Sequence, residues 1–334
     1  MANPLADRLE EVIADGLAPD LHGVVAIRHG EVLLEHYGKG EDFAWGDSLG
    51  VITFGPETLH DVRSITKSVV GLVYGIALAE GLVPETHEPL LPHFPEYSDL
   101  AADSHRSQLT VEHALTMTLG LEWNEDVPYD TTENSEIAME RAADRYRYLF
   151  ERPIAEAPGT TWRYCGGATA LLGKLIAKGS GAPLEEFARE RLFEPLGIGT
   201  FDWMRGDDGV ASAASGLRLA TPDLARIGQL VLARGVWSER ELVSSSWISR
   251  ALTYAVTIEG WFGYGYQWYV SAISTPDGAW HPWFGALGNG GQRIDVVPDL
   301  DLVVAFAAGA YDAEDTFAMT MSVLEDVILA NLGT

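Results

Sequence analysis

The sequence predicts a mixed α/β (α+β) fold: an antiparallel sheet flanked by N- and C-terminal helices, with a mostly helical domain inserted into it. Strand-like patterns occur only near the two chain ends, over 24–37 and again after Gly260. From Leu82 to about Ser249 the pattern is mostly helical, with breaks such as Pro84, Pro92, Pro95, Pro158-Gly159 and Pro195-Leu196-Gly197. A chain of 334 residues also exceeds a typical single core. The expected division is a sheet domain from 1–81 and 250–334, and a helical domain over 82–249.

The elements follow in order. Leu5, Leu9, Val12 and Ile13 fall on one face of an amphipathic helix, with Asn3 as its cap, Pro4 in its first turn and Gly16 as its stop. Val24 to Tyr37 reads as a hairpin turning at His29-Gly30. Gly38 to Glu57, rich in glycine and acidic residues, reads as a loop. Ser64 to Glu80 is apolar almost all round and stops at Gly81, which predicts a buried central helix. After Gly260 come the strands GYGYQWYV, QRIDVVP and DLDLVVAFAAG, and 312–332 returns to a helix.

Composition narrows the chemistry. A formal charge of -27, from Lys+Arg 22 against Asp+Glu 49, repels nucleic acid and anionic membrane surfaces. One cysteine, Cys165, excludes internal disulfides and thiolate-only zinc clusters, and nothing near it in sequence makes it a nucleophile. His22, His29 and His36 recur every seven residues without a carboxylate or cysteine at ligand spacing, so no metal site is expected there. The amino terminus shows neither an export signal nor a membrane-spanning run, so a cytoplasmic location is the expectation.

The strongest local signal is Ser64-Ile65-Thr66-Lys67. Residues three apart on a helix share a face, so Ser64 and Lys67 can touch. A serine hydroxyl needs a base to become a nucleophile, and a lysine serves only if its pKa is lowered. The chain has four lysines, Lys39, Lys67, Lys174 and Lys178, and the one inside an oily helix is expected to be desolvated. Ser64 also opens that helix, where free N–H groups favour an oxyanion. A capping serine followed by a snorkelling lysine is the bland alternative.

Gly46-Asp47-Ser48-Leu49-Gly50 competes with this pair, because it has the G-x-S-x-G spacing of a nucleophile elbow. It lacks the flanking hydrophobic strand and helix such an elbow needs, so a loop is expected instead. Tyr164, just before a helical stretch, can relay a proton. Ala286-Leu287-Gly288-Asn289-Gly290-Gly291-Gln292 precedes a strand, and its glycines permit close backbone approach to a substrate. Trp123, Trp162, Trp203, Trp268 and Trp283 are candidates for an apolar cleft, with core packing the ordinary role for most.

Together, DVRSITKSVVGLVYGIA, LTVEHALTMTLGLEW, PGTTWRYCGGATALLGKLIAKGSG, EPLGIGTFDW, GYGYQW and GNGGQRIDVVPDLDLVVAF resemble the serine β-lactamase and penicillin-binding-protein superfamily, in its class C-like branch. The resemblance implies a β-lactamase/transpeptidase-like fold, with Ser64 acylated, Lys67 as base and Tyr164 as proton shuttle. The backbone N–H groups of Ser64 and Asn289 would form the oxyanion hole, with Gly288 and Gly166 beside the substrate. Two positions depart from the pattern. Gly166 stands where the family usually has asparagine, and Ala286-Leu287-Gly288 replaces a Lys-Thr-Gly or His-Thr-Gly triplet.

The remaining pattern is closer to aminohexanoate-oligomer hydrolases and related esterases. The expected activity is hydrolysis of a small ester or linear amide through an acyl-enzyme, with a small-molecule substrate and no cofactor or metal. A β-lactam-recognising enzyme, with Arg293 or another arginine holding the carboxylate, is one alternative. A non-catalytic binding homologue is the other. The sequence carries no signal for an oligomeric state.

Overall fold

The computed structural model describes residues 4–332. Its central feature is an eight-stranded antiparallel sheet built from both chain ends. The first helix, α1 (Pro4–Ala14), buries Leu5, Leu9 and Val12 and is followed by Gly16 at φ +72°. The proposed Asn3 cap lies outside the described residues. Strands β1 (Leu21–Arg28) and β2 (Glu31–Tyr37) form the expected hairpin. Its two turn residues, His29 and Gly30, both have positive φ, as a tight two-residue turn requires.

The stretch 38–57 is not a loop. It holds a second hairpin, β3 (Lys39–Ala44) and β4 (Asp47–Thr53), turning at Trp45-Gly46. Acidic and glycine residues hid it because both strands are largely exposed, so neither shows the usual apolar alternation. Ser48 of the elbow-like string lies exposed on β4, where its hydroxyl donates to Glu41 at 2.7 Å.

Helix α2 (Ile65–Ala79) follows, with Ser64 as its N-cap and Gly81 at φ +70° just beyond its end. Every side chain from Ile65 to Ala77 is buried, as a helix apolar on all sides requires. The region beyond it consists of short helices and turns that include α3 (Ser135–Glu140), then α4 (Gly166–Ser180) and α5 (Thr221–Leu232). Helix α5, although within 82–249, lies on the sheet: a Cβ at Gly228 would come 2.5 Å from Val303 Cγ1. Its hydrophobic period marks a buried face but not the partner that buries it. Three short strands, His60–Asp61, Asp202–Trp203 and Leu217–Leu219, form a small separate sheet just before α2.

The remaining strands of the main sheet are β5 (Val256–Glu259), β6 (Phe262–Tyr264), β7 (Tyr269–Ser274), β8 (Trp280–Gly288), β9 (Gln292–Val297) and β10 (Leu302–Ala308). They pair in sequence order, and β10 then pairs with β1, so the sheet closes one chain end against the other. Strands β9 and β10 are buried throughout because both faces are covered. Val303 and Ala305 join the core shared with α2 and α4, whereas Val304 and Phe306 meet α1 and the C-terminal helical run. That run begins at Ala318 rather than Asp312 and winds into wider π-type turns over Val323–Ile328. Residues 312–317 instead form turns, in which Asp312 and Thr316 bond the loop after β8. No helix among the described residues is long and apolar enough to cross a membrane.

Candidate active site

The first turn of α2 sets the geometry. Thr66 donates both its N–H (3.0 Å) and its hydroxyl (2.6 Å) to the Arg63 carbonyl, and Leu217 N–H donates to the Thr66 hydroxyl at 3.2 Å. These bonds fix the turn that carries Ser64, whose side chain caps nothing and is left free for other work. Lys67 Nζ lies 3.0 Å from Ser64 Oγ, and Lys67 is 1% exposed. The expected pair is therefore in contact, and the lysine does not snorkel to water.

Its protonation differs from expectation. Burial alone would pull the ammonium down, as the oily helix suggests. The Glu136 carboxylate, with Tyr164 and Glu125 behind it, outweighs burial and holds Lys67 well above its ordinary value. Nζ is 3.3 Å from Glu136 Oε2 and donates to the Ala214 carbonyl at 2.9 Å. Lys67 is thus an ammonium in a buried ion pair, not a desolvated free amine.

Glu136 is held from three sides. It opens α3, where Asn134 caps the helix by accepting the Glu136 N–H at 3.0 Å. Ser215 donates to Oε1 at 2.5 Å, and the Glu125 carboxyl bonds the same group. Burial raises a carboxyl, but the Lys67 ammonium and these donors keep Glu136 below its usual range. Glu125 goes the other way. Burial and the neighbouring Glu136 charge push it up to about 7. Its Oε1 accepts from Trp123 Nε1 and from the Gly166 N–H, both at 2.6 Å, and Tyr129 donates to Oε2 at 3.0 Å. One proton shared between two facing carboxyls is the arrangement such a pair adopts.

Tyr164 stands two residues before α4, and its ring lies over Lys67, with Nζ 4.7 Å from the centroid. Its phenol interacts with Ser64, and burial, partly offset by Lys67, keeps it neutral by raising its pKa. Gly166 shows why this chain departs from the asparagine pattern: a Cβ there would come 2.3 Å from Glu136 Oε2. The Glu136 carboxylate occupies the space a longer side chain would need.

Gly288 ends β8 against Ser64, since a Cβ on it would lie 2.4 Å from the Val62 carbonyl and 3.2 Å from Ser64 N. Asn289 follows on the rim beside Ser64. Its amide side chain is turned to Asp312, donating through Nδ2 at 2.5 Å and accepting the Asp312 N–H at 2.9 Å. Arg293 is buried on β9 in a two-pronged pair with Asp295, at 3.0 and 2.6 Å, and so is not free to receive a substrate carboxylate.

The tryptophans divide. Trp123 holds Glu125, and Trp162 packs 6.0 Å from the Tyr164 ring. Trp203 packs on Phe193, Trp268 is fully buried, and Trp283 bonds Asp295 from β8. Cys165 is buried, and burial pushes its thiol up. Glu125 and Glu136 are the residues that sequence reasoning missed. The usable signals were an Asn-Ser-Glu helix start at 134–136 and a glycine where a side chain was expected.

The sequence profile of the family described as Beta-lactamase matches residues 8–325. The 6-aminohexanoate-dimer hydrolase of Paenarthrobacter ureafaciens is 25% identical over 322 residues, covering 90% of this chain and 74% of that protein. Esterase EstB of Burkholderia gladioli is 30% identical over 207 residues, covering 59% of this chain and about half (51%) of the esterase. A solved structure titled a putative 6-aminohexanoate-dimer hydrolase from Bacillus anthracis superposes with TM-score 0.76 at 17% identity, over 96% of this chain and 81% of that one.

Proposed function

The chain belongs to the β-lactamase family, and we propose that it is a serine hydrolase that cleaves a small ester or linear amide through an acyl-enzyme on Ser64. The observation that carries this reading is the position of Lys67 Nζ, 3.0 Å from Ser64 Oγ and 3.3 Å from Glu136 Oε2. As Ser64 attacks the substrate carbonyl, Lys67 accepts the hydroxyl proton and gives one of its own to Glu136. The ammonium is then never lost from a buried site, and no free amine has to wait there. The Ser64 N–H at the start of α2, with the Asn289 N–H beyond β8, stabilises the tetrahedral oxyanion. Tyr164 passes its proton to the departing alcohol or amine and recovers one from the Lys67–Glu136 pair. Water, deprotonated by the same groups, then releases the acid.

The recess over Ser64 is narrow, lined by Arg63, Tyr129, Ser215 and Asn289. The relatives named as an esterase and as a 6-aminohexanoate-dimer hydrolase fit an ester or linear amide substrate. In the β-lactam alternative Arg293 does not hold the carboxylate, since it is committed to Asp295. A fluorophosphonate probe tests the proposal by intact mass: one adduct is expected on the wild type and none on Ser64→Ala. An adduct that persists in Ser64→Ala places the nucleophile elsewhere.

A further inference from the structure

Arg63, the residue before the nucleophile, takes no part in the chemistry above. It is 8% exposed, yet its Nε has no hydrogen-bond partner. Its one ion pair among the described residues is a loose one, with Nε 3.4 Å from Asp61 Oδ2. The guanidinium otherwise rests over the Tyr311 ring, 4.9 Å from the centroid. A buried N–H without a hydrogen bond is costly, because a donor has been taken out of water with nothing to replace it.

The other polar groups around the recess are already engaged. Ser215 donates to Glu136, Tyr129 donates to Glu125, and the Asn289 amide is bonded at both ends to Asp312. Arg63 alone brings a charge to the lining, and its Nε is a buried donor without a partner. Its backbone is also strained. It has φ +49°, a region a non-glycine residue seldom adopts, and the two Thr66 bonds to its carbonyl hold it there. An anion approaching a chain of charge -27 needs a local cation to dock against.

We propose that Arg63 receives a carboxylate on the substrate, so that the preferred substrates are short esters or amides bearing a carboxylate close to the scissile carbonyl. This rests on the hydrolase reading of the same site. Arg63 then sets specificity, through a charge-assisted hydrogen bond that a neutral substrate cannot form.

The test compares p-nitrophenyl butyrate with the p-nitrophenyl monoester of glutaric acid. The readout is the ratio of kcat/KM for the anionic ester to that for the neutral one. Wild type is expected to favour the anionic ester, and Arg63→Gln to lower the ratio by about 10- to 100-fold, with partial recovery in Arg63→Lys. A ratio unchanged in Arg63→Gln overturns the proposal, whether both rates fall together or neither moves. Should Arg63→Gln not fold, competition on the wild type decides: glutarate is expected to inhibit competitively and glutaramide not to, and equal inhibition by the two overturns it. Absence of both ester turnover and Ser64 labelling would refute the hydrolase reading itself, and this inference with it.

Discussion

Replacing Glu136 by glutamine separates two accounts of Lys67. If the lysine acts by handing a proton to Oε2, a glutamine cannot accept it, and kcat should fall by about 10²-fold or more. If a neutral lysine were the base, removing the carboxylate would lower its pKa and keep or raise kcat at neutral pH. Steady-state rates on p-nitrophenyl butyrate distinguish these outcomes. Gly166 tests the same contact by bulk. Gly166→Ala would put a methyl 2.3 Å from Glu136 Oε2, so both the melting temperature and kcat should drop. A variant as stable and active as wild type would show that Glu136 can shift without consequence. The Ser64–Lys67 contact was legible because three-residue spacing on a helix fixes it. The charge of Lys67 was not, because its counterion lies 69 residues away.

At the scale of elements, the segment from Trp123 to α3 delivers two carboxyls to one point. Glu125 is raised to about 7 by burial and by the Glu136 charge. The folded protein therefore keeps a proton that the unfolded chain loses near its ordinary value of 4.5. The sign follows from linkage: the folded state binds more protons between about 4.5 and 7, so this group's contribution falls as pH rises through that window. Glu125→Gln keeps the neutral form at every pH. Its melting temperature relative to wild type should therefore increase from pH 5 to pH 8, and a constant difference would contradict the assignment. Among Asp+Glu 49, the Asn-Ser-Glu helix start marked Glu136 only as a first-turn residue, and no local pattern marked Glu125. By contrast, α2 and the β1–β2 hairpin were legible from an all-round apolar run and a two-residue turn. The β3–β4 hairpin was not, because its exposed strands carry no apolar alternation.

For the whole molecule, sequence pattern located strands at both chain ends but not the way they close. The contact between β10 and β1 is set by residues 280 positions apart, such as Val25 and Ala305. Close to that seam, His22 of β1 meets His60 of the small sheet, Nδ1 to Nε2 at 2.9 Å. Burial and the partner imidazole push His60 down to about 3. The unfolded chain takes up a proton near 6.5 that the fold refuses until about 3, so stability is lost as pH falls through that interval. His60→Gln should flatten the acid side of the melting curve measured from pH 7 to pH 4. Parallel curves for the two proteins would exclude the histidine pair as a source of acid sensitivity.

The account as a whole depends on where the acyl group lands. Trypsin cuts after Arg63 and Lys67 and so isolates the peptide Ser64–Lys67. Acid quenching during turnover of a p-nitrophenyl ester, followed by digestion and mass spectrometry, should find the acyl mass on that peptide alone. An acyl group on the peptide containing Ser48, or full turnover by Ser64→Ala with no adduct anywhere, would contradict it.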